Sequence, residues 1–359
     1  MAAGYLILIA ASLYALAALL CRPRTWRGRS SPAMMPVSVL KPLCGMEPNL
    51  YENLSSLCAQ SWSFYQIVFG VRDRDDPAVG VVRELMRRHP ERDIELVVDA
   101  RVHGTNHKVS NLLNMAPHAR HPWLVIADSD IAVPHDYLEK LCAPLADPRT
   151  GIVTCLYQGH ALAGFWSRLG AQFIDTWFMP SVRVASACGS SDFGFGASIA
   201  LRAGTLAAIG GFGALRNRLA DDYWLGCLTR ERGMRTVVAD LTVRTDVAEA
   251  SFAALWRHER RWMHTIRSVN PLGYAFSFIT FTFPMLAIGL YLAPGAAPIA
   301  LAGAAARLAL NLRDGGHVLQ APLRDCLLLL VWASAFAGST VRWRQQTVPV
   351  DDALQQGPP

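Results

Sequence analysis

The chain has 359 residues, of which 52% are hydrophobic and only 17% are charged. This composition is too apolar for an ordinary soluble enzyme, and the charged central region excludes a pure transporter. The net charge is +6, carried largely by arginine. The length allows one or two domains together with membrane segments.

The first apolar run, residues 5–20, contains no charge and is followed by a basic cluster, Arg22, Arg24, Arg27 and Arg29. A cleaved signal peptide would carry its positive charge before the apolar stretch. The positive-inside rule therefore predicts a transmembrane anchor over residues 1–21, with its N-terminus outside and the next domain in the cytoplasm. The eight cysteines are scattered without a Cys-x-x-Cys pair, which favours buried thiols in a reducing compartment.

Residues 36–270 show the pattern of one cytoplasmic α/β domain. Strand candidates are Val37–Leu40, Gln66–Val71, Ile94–Val98 and Trp123–Ala127. They alternate with helical stretches at Asn49–Ala59, Pro77–Arg88 and His107–Met115. This alternation predicts a parallel sheet with crossover helices. A helix at His135–Leu145, a strand at Gly151–Leu156 and a mixed second half are predicted to follow.

Polar residues collect where these strands end. Asp128 and Asp130 follow the fourth strand, and two carboxylates spaced i, i+2 suit Mg²⁺ or Mn²⁺ held together with nucleotide phosphates. Taken alone, they are equally consistent with a solvated turn. The other polar residues at strand ends are Lys41, Asp73, Asn106, Lys108 and Asn111. Because the carboxyl ends of parallel strands share one edge of the sheet, their convergence favours a nucleotide site.

Two later segments leave alternatives open. Gly164–Val184 mixes large aromatics with charges, which fits either a core helix or an amphipathic surface at the membrane interface. The stretch from Gly189 to Ser198 is glycine-rich but lacks the Gly-Lys-Ser/Thr ending of a phosphate loop. A turn where the backbone approaches the sugar or the acceptor is the better interpretation.

Two further motifs precede the C-terminal apolar region. Asp221 and Asp222 open a predicted helix, where capping explains one carboxylate but not the second. Arg261 and Trp262 lie in a basic segment that is typical of a lipid-facing anchor. The pair also offers a donor fork suited to a diphosphate and an aromatic face suited to a sugar or a lipid.

Residues 271–344 are predicted to form transmembrane or re-entrant helices, and residues 345–359 a flexible tail. The candidate spans are Gly273–Pro294, Gly295–Leu312 and Cys326–Val341. The last two are short for a hydrocarbon core of about 30 Å, and Pro284 and Arg307 interrupt the apolar pattern. Three C-terminal crossings would place Arg342 and Arg344 outside, against the charge rule, so the topology stays open.

Taken in order, the motifs Lys-Pro-Leu, Asp-x-x-Asp-Pro, Gly-x-Asn-x-Lys, Asp-Ser-Asp, Asp-Asp-Tyr and Arg-Trp resemble those of the ceramide glucosyltransferase family, glycosyltransferase family 21. The resemblance is strongest to bacterial members, which include hopanoid-biosynthesis glycosyltransferases, and runs from about residue 4 to residue 344. It implies a GT-A (Rossmann-like) catalytic domain and an inverting transfer from a UDP-sugar to a lipid hydroxyl.

The resemblance also implies roles for individual residues. Asp222 takes the general-base position and Asp130 the metal, Mg²⁺ or Mn²⁺. The implied substrate-binding residues are Lys41, Asp73, Asn106, Lys108, Asn111, Asp128, Arg261 and Trp262. Asp73 is implied to lie at the uridine with the Lys41–Leu43 backbone nearby, and Asp128 near the ribose. One position departs from the family pattern, because His258 stands where the motif has Gln or Arg.

The implied partners are the UDP-sugar donor, a membrane lipid acceptor and the lipid bilayer, with no nucleic acid. The acceptor is ceramide or a hopanoid, and the sugar is left open between glucose, N-acetylglucosamine and galactose. The expected location is a bacterial inner membrane, with several crossings and the catalytic domain in the cytoplasm. A hopanoid N-acetylglucosaminyltransferase and, more distantly, a processive polysaccharide synthase are the alternatives.

Overall fold

The structure is a computed structural model that describes residues 1–26, 28, 35–191, 193–338, 340–343 and 346–349. The chain folds into two compact units. The sheet unit comprises Thr25–Gln158 and Ser191–Asp246. The helical unit comprises Met1–Arg24, Gly159–Ser190 and Val247–Pro359. The continuous segment predicted as one domain, 36–270, thus contributes residues to both units.

The sheet unit is built on one eight-stranded sheet with the order β3-β2-β1-β4-β7-β6-β8-β5. Its strands are β1 Val37–Pro42, β2 Tyr65–Val71, β3 Asp93–Val98, β4 Trp123–Ala127, β5 Ile131–Ala132, β6 Thr150–Ala161, β7 Ser198–Arg202 and β8 Arg235–Val247. The four predicted strands are confirmed, and β1 to β4 pair in parallel.

The parallel arrangement predicted from the first four strands is confirmed, and the second half of the unit adds antiparallel pairs to the sheet. β7 runs antiparallel to β4 and to β6, and β5 runs antiparallel to β8. The register Val125↔Ala200 joins residues 75 positions apart. Short apolar runs carry no information about such long-range pairing, because both strand directions bury them equally well.

Buried side chains on both faces explain why the central strands are apolar throughout. Val37 and Val39 of β1 pack into one core with Ile67 of β2. Leu40 of β1 and Val68 of β2 belong to a second core. The polar residues at the C-terminal ends of these strands therefore follow strands whose side chains are buried on both faces of the sheet.

The helices flank these strands or build the helical unit. They are α1 Ala2–Leu20, α2 Leu50–Cys58, α3 Ala78–Arg88, α4 His107–Met115, α5 Tyr137–Cys142, α6 Gly164–Phe173, α7 Met179–Ala187, α8 Ala203–Ala208, α9 Asp221–Glu231, α10 Phe252–Val269, α11 Pro271–Phe276, α12 Thr282–Leu292, α13 Ala297–Arg313 and α14 Ala321–Ser334. α4 has the predicted bounds. The predicted helix at His135–Leu145 is shorter as α5, while β6 is longer than the predicted strand.

In the helical unit, α1 packs along α12 and α13 through small residues. A Cβ at Gly4 would lie 2.8 Å from the Cβ of Ala293, and one at Gly303 would lie 2.3 Å from Ser12 Oγ. Small residues let apolar helices approach closely, as in membrane helix packing. The sequence stretch Gly164–Val184 belongs to this unit too, as α6 and α7 joined by a π-helical turn at Ile174–Phe178.

Within the described residues, two helices are long and apolar enough to cross a membrane, Ala2–Leu20 and Pro294–Arg313. A third candidate is the broken pair Pro271–Thr280 and Thr282–Leu292, which bends by 71°. The predicted span Cys326–Val341 is not one continuous helix, and within the described residues it is not among the helices long enough to cross. Its apolar residues belong to the 14-residue helix α14, which ends at Ser334 before the backbone reaches a short strand at Thr340–Trp343.

Buried ion pairs account for the charges in these apolar helices. Arg307 of α13 donates to Asp325 of α14, with Nη2 2.6 Å from Oδ1. Arg324, also on α14, donates from Nη1 to Glu259 Oε1 of α10 at 2.7 Å. Charges in an apolar environment are tolerated when they are paired. Arg307, which interrupts the apolar pattern of the predicted span, is therefore a packing contact between helices.

Cys44, Cys188 and Cys326 are exposed, so the expectation that all eight cysteines are buried is wrong. Of the predicted tail, residues 346–349 form a strand that pairs with Thr340–Trp343. The rest of that tail lies outside the described residues, as do Arg27, Arg29 and Arg344.

Candidate active site

One edge of the sheet unit gathers most of the predicted site residues. Lys41 is the fifth residue of β1, Asp73 follows β2, and Asp128 directly follows β4. Because β1, β2 and β4 are parallel, these residues leave the sheet at the same edge. The predicted convergence of strand ends therefore holds for the described backbone.

Lys108 lies at the centre of this edge. Its Nζ is 2.6 Å from Asp128 Oδ1 and 3.6 Å from Asp221 Oδ2. Removal from water would lower the pKa of Lys108, but the charges of Asp128 and Asp221 outweigh it and raise that pKa. Lys108 is thus a fixed positive charge that joins the Asp-Ser-Asp turn to the start of α9.

Asn106 and Asn111, which are predicted to contact the nucleotide sugar, are buried, and their side chains form hydrogen bonds within the protein. Asn106 caps α4, with its Oδ1 accepting from Val109 N at 3.0 Å, and its Nδ2 donates to Arg218 O at 2.9 Å and Asp221 Oδ1 at 3.2 Å. Asn111 Nδ2 donates to Gly70 O of β2 at 2.8 Å. Both side chains therefore anchor α4, the helix that carries Lys108, and direct contact with a donor stays a prediction.

Asp222 is held by backbone amides at the first turn of α9. Its Oδ2 accepts from Gly196 N at 2.8 Å and its Oδ1 from Tyr223 N at 2.8 Å. Removal from water and the neighbouring Asp221 charge raise the pKa of Asp222 to about 6, against the opposing charge of Lys108. A carboxyl with such a pKa is ionised near neutral pH and can accept a proton, as a general base requires.

Asp221 has a different role from the helix cap that its position indicates. The residue preceding α9, Ala220, is the N-cap, and no side chain caps the helix there. Asp221 instead accepts from Asn106 of α4 and lies near Lys108. Its partners are more than 100 residues away in sequence, so local patterns could not reveal them.

Gly194 and Gly196 shape the site, and the sequence marked them only as part of a turn near the substrate. A Cβ at Gly194 would lie 2.2 Å from Asp222 O. A Cβ at Gly196 would lie 3.1 Å from Asp222 Oδ2, 3.5 Å from Asp128 Oδ2 and 3.5 Å from Lys108 Nζ. Gly196 therefore faces the space between the carboxylates, and its missing side chain keeps that space open.

We expect Gly194→Ala to destabilise the protein by about 1–3 kcal/mol, because the added methyl group overlaps the Asp222 carbonyl and the loop must move. Thermal unfolding of the purified protein measures this. Gly80→Ala in α3 is the matched control, because a Cβ there meets nothing within 4 Å. Equal melting temperatures for the two variants would contradict the close packing assigned to Gly194.

Asp130 sits in an excess of negative charge. Removal from water, Asp128 and Glu47 raise its pKa to about 7, although Lys41 and a hydrogen bond from Thr245 Oγ1 at 3.2 Å oppose this. A divalent cation would relieve this repulsion. Within the part of the chain that the structure describes, no three His, Cys, Asp or Glu side chains form a metal cluster. The excess of negative charge at Asp128 and Asp130 fits a hard divalent cation such as Mg²⁺ or Mn²⁺, which binds carboxylate and phosphate oxygens.

Lys41 is fully buried, which the sequence did not reveal. Its Nζ is 3.4 Å from Ile131 O, and burial lowers its pKa to about 8 against the charges of Asp130 and Asp128. The buried ammonium group of Lys41 therefore interacts with the charges of Asp128 and Asp130 from within the core. The expected proximity of this segment to uridine concerns its backbone and stays a prediction.

The two acids of Asp-x-x-Asp-Pro divide their tasks. Asp76 accepts from Gly45 N with both oxygens, at 3.0 and 2.9 Å, and so ties the loop after β1 to the loop after β2. Asp73 is exposed, and its side chain accepts a local hydrogen bond from Asp75 N at 3.0 Å. Asp73 thus has oxygen capacity left for a ligand.

Arg261 and Trp262 lie on α10 in the helical unit. Trp262 packs edge-on against Phe173, with ring centroids 4.9 Å apart, and against His258 at 4.7 Å. Arg261 contributes positive charge that lowers the pKa of Glu249. Their predicted contacts with diphosphate, sugar or lipid stay predictions.

Known proteins resemble this chain in sequence and in fold. The sequence profile of "Glycosyl transferase family 21" matches residues 4–354. Ceramide glucosyltransferase 1 of Caenorhabditis elegans is 24% identical over 237 residues, which cover 65% of this chain and 50% of the relative. Ceramide glucosyltransferase 3 of the same organism is 26% identical over 231 residues, covering 63% and 50%. The matched region spans about half the length of these curated relatives.

Among solved structures, the mannosyltransferase PcManGT from Pyrobaculum calidifontis, in complex with GDP-Man and Mn²⁺, has a TM-score of 0.58 to this chain. The identity is 21%, and the match covers 93% of this chain and 94% of that structure. At this identity the likeness shows the fold, and it confirms the predicted GT-A architecture.

Proposed function

This chain belongs to glycosyl transferase family 21, and from that premise we propose that it transfers a hexose from a UDP-sugar to a lipid hydroxyl at a membrane. The observation that supports the proposal most strongly is the charged cluster at the sheet edge. Lys108 contacts Asp128 and lies near Asp221, while Gly196 leaves open space beside Asp222. The curated relatives are ceramide glucosyltransferases, which makes ceramide the first acceptor to test.

The donor would bind where the parallel strands end. Asp73, exposed after β2, would accept from the uracil ring, and Asp128 would lie near the ribose. Asp130 and the donor phosphates would hold Mg²⁺ or Mn²⁺, which when bound would offset the charge of the leaving diphosphate. The structure of the resembling mannosyltransferase contains GDP-Man and Mn²⁺, which supports a metal and a nucleotide sugar for this fold.

Proton transfer is the step that this chain's own residues must perform. A lipid hydroxyl is a poor nucleophile near neutral pH, so a positioned base must remove its proton as the new C–O bond forms. We assign this role to Asp222, whose pKa of about 6 leaves it ionised at pH 7. Attack from the face opposite the leaving UDP inverts the anomeric carbon. Arg261 would add positive charge for the departing diphosphate.

The helical unit offers a surface that suits a lipid acceptor. A hollow of about 300 Å³ is lined there by Phe252, Ala253, Trp256 and Arg257. Its rings belong to a series of contacts, with centroids of Trp166 and Phe252 5.5 Å apart and those of Phe252 and Trp256 5.7 Å apart. Aromatic rings beside an exposed arginine suit the region of lipid headgroups.

The helix packing also supports one membrane topology. α1 and α13 lie side by side in the same direction, because Gly4 meets Ala293 while Arg313 Nη2 donates to Ala18 O at 3.2 Å. With α1 entering from outside, α13 ends on the cytoplasmic side. Since α14 is too short to cross, we expect the residues after α14 to stay on the cytoplasmic side, where the charge rule favours Arg342.

Reporter fusions in a bacterial host test this topology. Green fluorescent protein fused after residue 338 should fluoresce, and alkaline phosphatase inserted at Gly295, between α12 and α13, should be active. Active phosphatase after residue 338 would contradict the arrangement.

A labelled-donor assay tests the function. Membranes containing the protein are incubated with radiolabelled UDP-glucose or UDP-N-acetylglucosamine and either ceramide or a hopanoid. The expected product dissolves in chloroform and depends on the lipid. Labelled insoluble polymer would instead support a processive polysaccharide synthase, and label in the hopanoid fraction alone would favour hopanoid as the acceptor over ceramide.

A further inference from the structure

Glu249 and His258 form a carboxylate–imidazole pair in the helical unit. Glu249 follows β8 by two residues and is 9% exposed, and its Oε1 contacts His258 Nδ1. Removal from water alone would raise the pKa of Glu249, but the hydrogen bond from His258 and the charges of His258 and Arg261 hold it below its usual range. An ionised carboxylate can only accept, so His258 Nδ1 carries the proton and donates it.

This pair acts on both members of the Arg261-Trp262 segment. His258 and Trp262 are four residues apart on α10 and therefore share a helix face. Their ring centroids are 4.7 Å apart at 75°, an edge-to-face contact that depends on the plane of the imidazole. The opposite charges of Glu249 and Arg261 interact as well. Glu249 thus influences the orientation of Trp262 through His258, and its charge attracts that of Arg261.

Packing alone does not explain Glu249. Its Oε2 is buried and has no hydrogen-bond partner among the residues that the structure describes. A buried oxygen without a partner costs stability, and an apolar side chain of the same size would avoid that cost. Carboxylates that bond to a histidine beside a reacting group typically fix its tautomer and ring orientation.

We propose that Glu249 is a positioning residue for the Arg-Trp segment, and that it acts by fixing the His258 ring beside Trp262. The proposal rests on the proposed function, in which Arg261 meets the donor diphosphate and Trp262 meets the sugar or the lipid. It also gives a physical account of a histidine at a position where the family motif has Gln or Arg.

The test compares kcat and the donor KM of purified full-length variants. Glu249→Ala and His258→Ala should each lower kcat/KM by about 10–100-fold, because a small misplacement of a group that contacts the donor has effects of this size. The double variant should be no worse than either single variant, because both changes remove the same interaction. His258→Gln should lose less activity than His258→Ala, since its amide can donate to Glu249 although it has no ring to pack against Trp262.

Two further variants complete the design. Glu249→Gln keeps the side-chain shape and should lower kcat/KM about tenfold even if the alanine variant misfolds. Glu139→Gln is the matched control, because Glu139 is exposed on α5 and lies outside the site. Its kinetics should equal those of wild type.

Three results would overturn the proposal. Variants of Glu249 and His258 that melt at lower temperature but keep wild-type kcat and donor KM would show a purely structural pair. Effects that multiply in the double variant would show that the two residues act independently. A wild-type protein that transfers no sugar from any donor would remove the proposed function itself, and this proposal with it.

Discussion

Asp222→Asn is expected to slow sugar transfer by about 10²–10⁴-fold, the usual contribution of a general base, while UDP binding changes little. Asparagine keeps the shape of the side chain and can still meet the amide of Tyr223, but it cannot accept a proton. Steady-state kinetics with calorimetric measurement of UDP binding separates these two effects. Unchanged turnover in Asp222→Asn would show that another group is the base.

The pH dependence gives a second readout of the same residue. Only ionised Asp222 can act as a base, and its pKa is about 6. Activity should therefore be lost as the pH falls through about 6 and level off above it. Asp221→Asn is the matched comparison, because Asp221 raises the pKa of Asp222. That variant should still have its base, and the fall in its activity should occur at lower pH than in wild type. If the acidic fall in activity disappears in Asp221→Asn, Asp221 is the base.

Asp130→Asn is expected to abolish metal-dependent transfer and, in metal-free buffer, to stabilise the protein. The folded-state pKa of Asp130 is raised to about 7, chiefly by removal from water and by Asp128. A carboxyl with a raised pKa binds its proton more tightly when folded, so its ionisation reduces stability as the pH rises above the unfolded value of about 4. Asparagine removes this effect.

Thermal unfolding at two pH values measures the stability effect. At pH 8 without metal, the Asp130→Asn variant should melt a few degrees above wild type, since 1 kcal/mol corresponds to about 2–4 °C in a domain of this size. At pH 5 the difference should shrink. Adding Mn²⁺ and UDP should raise the melting temperature of wild type alone. If Mn²⁺ and UDP raise the melting temperature of the Asp130→Asn variant as much as that of wild type, the metal role of Asp130 is contradicted.

The predictable part of the site is the part that sheet geometry fixes. Buried runs such as Trp123–Ala127 identify themselves by composition, and parallel strands bring their C-terminal ends to one edge, so Asp73 and Asp128 could be placed from sequence. The start of α4 was also readable, because Asn106 is a strong cap.

The remaining part of the site depends on contacts between distant segments. Gly196 reaches Asp222 only because β7 returns antiparallel beside β4, and local sequence does not encode strand direction. The buried side chain of Lys41 contacts Ile131 O, 90 residues later, and no local pattern indicates that contact. The charged residues of α14 also have distant partners. Arg324 pairs with Glu259 of α10 and Asp325 pairs with Arg307 of α13, and the local sequence does not indicate either pair.

The linkage of the glycolipid product is the measurement that tests the central claim most directly. Purified protein is supplied with UDP-glucose, whose sugar is α-linked, Mn²⁺ and ceramide, and the anomeric proton of the product is observed by NMR. A single displacement assisted by Asp222 predicts β-linked glucose on the lipid hydroxyl. An α-linked glycolipid, or no glycolipid with any UDP-sugar and lipid acceptor, would contradict the account.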